Sequence, residues 1–332
     1  MHRTTLHRFV FPLLIALLML GGCSKADQQA DTTKSAATYT IVTTTGMVND
    51  LVQRIAGDRA SVTGLINSGI DPHLYQPTRN DIKSLMNADM VFYSGLHLEG
   101  KMTDAFERVA GVTTVIAVTD SLDRAQLLSP EEYEGSHDPH VWMDPLAWKQ
   151  AAAVIHDAIA SYDPEHRAQY DANLAQLNIE IDALHAYASQ TLGSIPAEQR
   201  VLVTAHDAFQ YFGRRYDFEL VGIQGISTES EAGVRDIERI VDLLVSRKIA
   251  AVFVETTVSE RNIKALIAGA KAQGHTVTIG GALFSDAMGN AGTYEGTYIG
   301  MIDHNVTTIA RALGATPPEG GMSGKLTTET KP

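Results

Sequence analysis

Residues 164–192 read PEHRAQYDANLAQLNIEIDALHAYASQTL, a run with no glycine and no proline after its first position. Asp163 stands where an N-cap belongs, and Pro164 suits the first helical position, where a missing N–H costs nothing. Gly193 and Pro196 close the run. The pattern predicts one helix; its 29 residues would reach about 43 Å at 1.5 Å per residue. Two shorter helices with a break between them are the alternative. A single helix of that length can brace two lobes, and the sequence on either side repeats one scheme.

Before the run, short β-branched stretches fall at 39–44 (YTIVTT), 60–66 (ASVTGLI), 89–93 (DMVFY) and 113–118 (TTVIAV), with amphipathic segments at 47–55 and 78–88 between them. After it come 200–204 (RVLVT), 219–223 (ELVGI), 250–255 (AAVFVE) and 275–279 (HTVTI), interleaved with helical patterns at 207–216, 234–247, 260–273 and 297–313. Gly213 and Gly274 stand where two of these helices can stop. Nearly continuous apolar strands alternating with helices indicate parallel sheets covered on both faces. The expected fold is therefore α/β, with two lobes of roughly four parallel strands joined by one long helix. The boundaries are 38–163 for the N-terminal lobe, 164–193 for the linking helix, 194–314 for the C-terminal lobe and 315–332 for a polar tail.

At roughly 100–200 residues per domain, the 332 residues allow such a division, and 44% hydrophobic content supports a sizeable core. With 39 acidic and 26 basic residues the formal charge is −13, so no basic stripe is available for a nucleic acid. The first residues, MHRTTLHRFVFPLLIALLMLGGC, place Arg3 and Arg8 ahead of an uncharged run of 12 residues from Phe9 to Leu20. That run is short for a membrane-spanning helix and right for a signal peptide over 1–22. The Leu-Gly-Gly-Cys string resembles a bacterial lipobox, which makes Cys23, the one cysteine, a lipid attachment point. A plain secretory signal is the alternative. An exported chain with one cysteine has no internal disulfide. Residues 23–37, small and polar, read as a flexible tether.

Of 12 histidines, His156, His166 and His185 lie in helical patterns and read as solvated, while His275 and His304 read as structural. His73, His140 and His206 lie in Gly/Pro-bounded loops, beside or just beyond strand ends, where doubly wound sheets place ligands. Asp286, after the last strand, is a fourth candidate; Glu229 and Glu231 are substitutes for it, or caps for the helix beginning at Val234. Three imidazoles and a carboxylate suit a first-row divalent metal, but the spacings match no local zinc motif, and independent structural roles remain open.

The strings GIDPHLYQPTRND (69–81), HDPHVWMDP (137–145), VLVTAHDAFQYFG (201–213), GIQGIST (222–228), IGGALFSDAMG (279–289) and GTYEGTYIGMIDHN (292–305) change that. In this order they resemble the metal-binding lipoproteins that serve ABC transporters, in their TroA-like zinc/manganese subtype. The likeness runs over about 39–313. It implies two lobes, a long helix and a metal between the lobes, held by His73 and His140 from the first and His206 and Asp286 from the second. It also implies capture of Zn²⁺, Mn²⁺ or Fe²⁺ at the periplasmic or outer face of a membrane, by a lipid-anchored monomer that delivers to an ABC permease and its ATPase. Manganese-specific relatives carry Glu at the position of His206, and zinc-specific ones often carry a His-rich loop where 120–137 holds one histidine. An imidazole-rich site favours zinc on the Irving–Williams trend, and both oxygens of Asp286 would accommodate manganese.

Two other functions have a basis in the sequence. A zinc hydrolase would need an open metal position and a base, for which Asp71, Asp138, Asp144 and Asp207 are available. Those four read instead as orienters of the imidazoles or as loop caps. An adhesin-like surface receptor would use the same shape, but Trp142 and Trp148 are the only tryptophans and Trp142 belongs to a ligand-bearing string. The bracing helix predicts only modest lobe motion.

Overall fold

The computed structural model describes residues 38–129 and 135–327. Cys23, the signal segment and the tether lie outside the described residues.

The first lobe contains β1 (Tyr39–Thr43), α1 (Gly46–Ala56), β2 (Ala60–Gly64), α2 (Arg79–Asn87), β3 (Met90–Tyr93), α3 (Thr103–Val109), β4 (Thr114–Ala117) and α4 (Pro145–Tyr162). Its strands form one parallel sheet in the order β2-β1-β3-β4. Then α5 (Arg167–Gly193) runs unbroken for 27 residues, about 40 Å at 1.5 Å each. The second lobe holds β5 (Val201–His206), α6 (Gln210–Tyr216), β6 (Glu219–Gln224), α7 (Val234–Ser246), β7 (Ala251–Glu255), α8 (Arg261–Ala272), β8 (Thr278–Leu283) and α9 (Tyr298–Ala312).

All eight expected strands are present, α4 carries the helical pattern around His156, and α3 adds to the expected helices. The second lobe departs from a four-stranded ladder. Its strands pair in parallel as β5-β6 and β7-β8. β5 and β7 lie side by side, but at His206 the backbone N–H donates to the Glu255 side chain at 2.8 Å instead of to a strand carbonyl.

Side-chain alternation divides the interior. In β1, Ile41 faces a core shared with α1, α4, α5 and α9, whereas Val42 faces the α2 and α3 side. In β5 and β7, Leu202 and Phe253 enter the same shared core, while Val203 and Val252 pack against α7 and α8. Tyr170, Leu177, Ile181, Leu184, Ala188 and Leu192 form the stripe of α5 in that core, spaced three, four or seven apart as one helix face requires. One apolar core thus spans both lobes.

Three local readings are corrected. Asp163 does not cap the long helix, which opens with a 3-10 turn at Pro164–His166. Its carboxylate accepts instead from the Tyr170 hydroxyl at 2.6 Å, from Arg59 and from the His166 ring. Gly213 lies inside α6, where a Cβ would come within 1.9 Å of Leu220 Cδ2; its role is close approach to β6. α6 ends at Asp217, in the left-handed region at φ 59°. Glu229 and Glu231 do not cap α7: the N-cap is Gly233, whose N–H donates to Asp236.

Candidate metal centre

Four loops or strand ends deliver the four predicted side chains to one point. His73 follows β2, His140 precedes α4, His206 ends β5 and Asp286 follows β8. One ligand-type atom from each lies within 4.8 Å of all the others. His73 Nε2 is 3.4 Å from His140 Nε2. The Asp286 oxygens lie 3.2 Å from His140 Nε2, 3.3 Å from His206 Nε2 and 3.7 Å from His73 Nε2. His73 is 4% exposed and the other three at most 1%. Among the described residues, His206 Nε2 and both Asp286 oxygens are buried without a hydrogen-bond partner. Leaving buried polar atoms unpaired is costly, so their convergence marks a place for a bound group.

The local sequence explains the aim of each ring. Asp138 Oδ1 accepts the His140 N–H at 2.9 Å and its Nδ1–H at 2.7 Å. Glu255 accepts the Nδ1–H of His206 at 2.5 Å. Each carboxylate fixes the tautomer and turns Nε2 toward the centre. Trp142 packs edge-on against His140 and donates from Nε1 to the Ser285 carbonyl at 3.0 Å, tying one ligand loop to the other.

Of the four aspartates singled out in the sequence, Asp138 orients a ring directly. Asp71 accepts the His73 backbone N–H at 2.8 Å and, from the other lobe, the Thr228 hydroxyl at 2.5 Å, and bonds to no imidazole nitrogen among the described residues. Asp144 caps α4 and pairs with Arg215 through both oxygens. Asp207, which burial pushes up to about 6, is held by Gln210. Glu255, the partner of His206, was not legible as a site residue because it ends an ordinary apolar strand. Glu229 instead forms an ion pair with Lys101, and Glu231 is not among the clustered side chains.

Charge within the site is unevenly held. Burial alone would lower the His140 pKa, but Asp138 and Asp286 raise it to about 9. His206 is raised in the same way by Glu255 and Asp286, against burial. Burial would raise Asp286, yet His206 and His140 hold it well below the usual carboxylate range. His73, dominated by burial, falls to about 3.

The five histidines that the sequence sets aside have other partners. His156 is 7% exposed, not solvated, because its ring nitrogens meet Asp157 and Asp171. His166 pairs with Asp163 and is partly exposed. His185 lies against the Tyr216 ring. His275 and His304 bond to the carbonyls of Ile249 and Ala282 and so are structural.

Two lobes bridged by a long helix, with a buried three-histidine, one-carboxylate cluster at their seam, define a metal-receptor class of fold. Residues 41–312 match the family model described as zinc-uptake complex component A, periplasmic (ZnuA), and the chain belongs to that family. It is 42% identical over 300 residues to the zinc-binding protein TroA of Treponema pallidum, covering 90% of this chain and 96% of that one. It is also 42% identical over 307 residues to the manganese-binding lipoprotein MntA of Bacillus subtilis, covering 91% and 97%. The solved structure of the periplasmic zinc-binding protein TroA from Treponema pallidum superposes with a TM-score of 0.81 at 43% identity, over 83% of this chain and 99% of that one.

Proposed function

We propose that the chain captures a divalent transition metal between its lobes and delivers it to an ABC permease driven by a partner ATPase. His73, His140, His206 and Asp286 are the ligands in this reading. The spacing of the donor atoms carries it. A tetrahedral zinc site with bonds of ~2.0–2.1 Å has ligand–ligand edges of about 3.3 Å; here four donor pairs, counting both Asp286 oxygens, are 3.2, 3.3, 3.4 and 3.7 Å apart, and one donor from each residue lies within 4.8 Å of all the others. Both lobes contribute two donors, so the ion cross-links them; the common core supports a small rather than a sweeping closure.

Four protein donors fill a tetrahedral shell, which favours a receptor over a hydrolase. Zinc is the metal expected to bind most tightly in vitro. Both Asp286 oxygens face histidine nitrogens, an arrangement that would also serve manganese or iron. Relatives named for zinc, for manganese and, in Yersinia pestis at 32% identity, for iron support that range. The chain is read as exported and anchored through Cys23, with lobes at 38–163 and 194–314; relatives named as lipoproteins support the anchor.

Protein purified without chelators should carry about one metal ion per chain, and competition should favour Zn²⁺ over Mn²⁺. Elemental analysis and calorimetric displacement check both. A chain that takes up neither ion would end this reading.

A further inference from the structure

His73 differs from its three companions. Its ring is the most exposed of the four, and among the described residues its Nδ1 has no protein partner, whereas His140 and His206 each have a carboxylate there. It also borders a cavity of about 360 Å³, lined with His97, Gly100, Lys101, Ser136, Ser227 and Glu229. Ser227 and Glu229 come from the second lobe, in the segment between β6 and α7; the other four belong to the first.

The residue between them closes the gap. Thr228, 8% exposed, donates from Oγ1 to Asp71 Oδ2 across the cleft at 2.5 Å. The other oxygen of Asp71 accepts the His73 N–H. Glu229 meets Lys101 of the first lobe at 3.4 Å. Three consecutive residues of one lobe are therefore fastened twice to the other, directly over the most accessible ligand.

A second cavity, on the side where Ser68 bonds to Asn290, borders Asp286. Both Asp286 oxygens are buried, so that cavity stops short of the donor atoms.

We infer that Ser227–Thr228–Glu229 is the strap through which the metal enters and leaves, with Thr228 a positioning residue that acts on His73 through Asp71. This rests on the metal-receptor reading above. When the hydroxyl lets go of Asp71, the loop bearing His73 loses the tie to the second lobe nearest that ring, keeping the Ser68–Asn290 bond on the other side, and the cavity opens onto a ligand that no carboxylate braces. His140, His206 and Asp286 remain in place beneath it.

The test is stopped-flow transfer of Zn²⁺ from the full chain to excess chelator. A hydrogen bond to a charged acceptor is worth enough that Thr228→Val should release zinc about tenfold faster. Thr228→Ser, which keeps the hydroxyl, should restore the rate. Lys101→Ala, at an exposed position with no folding risk, should accelerate release severalfold. Asn290→Ala, on the other side, should leave the rate unchanged, and the metal-free melting temperatures should agree within about 2 °C. Wild-type rates for both Thr228→Val and Lys101→Ala, or equal acceleration by Asn290→Ala, would overturn the strap while leaving the receptor standing. A wild-type chain that binds no Zn²⁺ in the first place would overturn both.

Discussion

Two loops of the first lobe carry the same three residues, Asp71-Pro72-His73 and Asp138-Pro139-His140, and use them differently. In both, the aspartate accepts the histidine N–H two residues on, a local turn that fixes where the imidazole starts. Buried Asp138 then turns the same oxygen to its own histidine ring, while Asp71 sends its second oxygen across the cleft to Thr228. One turn thus braces a proposed ligand within its own loop, and the other ties a proposed ligand to the opposite lobe. Identical local sequence yields two functions because the surroundings of the second carboxylate oxygen differ: Tyr211 and the α4 entry enclose the first turn, and the second sits at the rim.

The broadest contrast is between the ligands themselves. His140→Ala removes a fully buried, braced donor and should lower zinc affinity by about three orders of magnitude or more, whereas His73→Ala, at the rim, should cost less because water can take its place. The metal-free fold should survive both, since neither histidine is among the apolar side chains that form the shared core. Calorimetry and circular dichroism read the two halves of this expectation; equal losses at the two positions would erase the distinction between the turns.

Removing only the brace is a smaller change. Asp138→Asn keeps the shape but loses the charge that orients His140, and outer carboxylates of this kind are commonly worth about 10–100-fold in metal affinity. Glu255→Gln should behave alike through His206. Asp71→Asn should lower equilibrium affinity by less than about tenfold, since that carboxylate touches no imidazole nitrogen. A competition titration ranks the three, and an Asp71→Asn loss as large as that of Asp138→Asn would show both turns to be braces.

How much of this was legible beforehand follows from range along the chain. Strands announce themselves through runs of four to six mostly apolar, β-branched residues such as Val201–His206, and the four clustered side chains through the loops that follow or precede such elements. The partners of those ligands were harder. Glu255 lies 49 residues from His206, and Thr228 lies 157 from Asp71; only the adjacency of β5 and β7, and the closing of the lobes, brings each pair together. Asp-Pro shows the limit of local signals. At 144–145 the aspartate caps α4, while at 163–164 the same dipeptide fails to cap because Tyr170, Arg59 and His166 claim the carboxylate. His156 was misplaced for a related reason: its helical pattern hides that α5 supplies Asp171 to its ring.

The smallest expected effect separates the turns by pH. An unfolded histidine titrates near 6.5, and His140 in the metal-free fold titrates at about 9. A raised base stabilises the fold fully below the unfolded value, and that contribution disappears as pH climbs through the folded one. His206 acts in the same direction. His73, lowered to about 3, is unprotonated in the fold throughout the window; its unfolded form loses the last of its proton just above 6.5, a small opposing contribution that is gone by about pH 7.5. The metal-free protein should therefore lose about a few degrees of melting temperature between pH 6.5 and 9. Zinc, which must expel those same protons, should bind more tightly across the interval. Without the charge of Asp138, His140 has less reason to hold its proton, so Asp138→Asn should reduce both trends, leaving the share of His206, and Asp71→Asn should preserve them in full. Melting curves with and without zinc, taken at half-unit steps, measure the difference. A slope undiminished by Asp138→Asn would place the proton on a group other than His140.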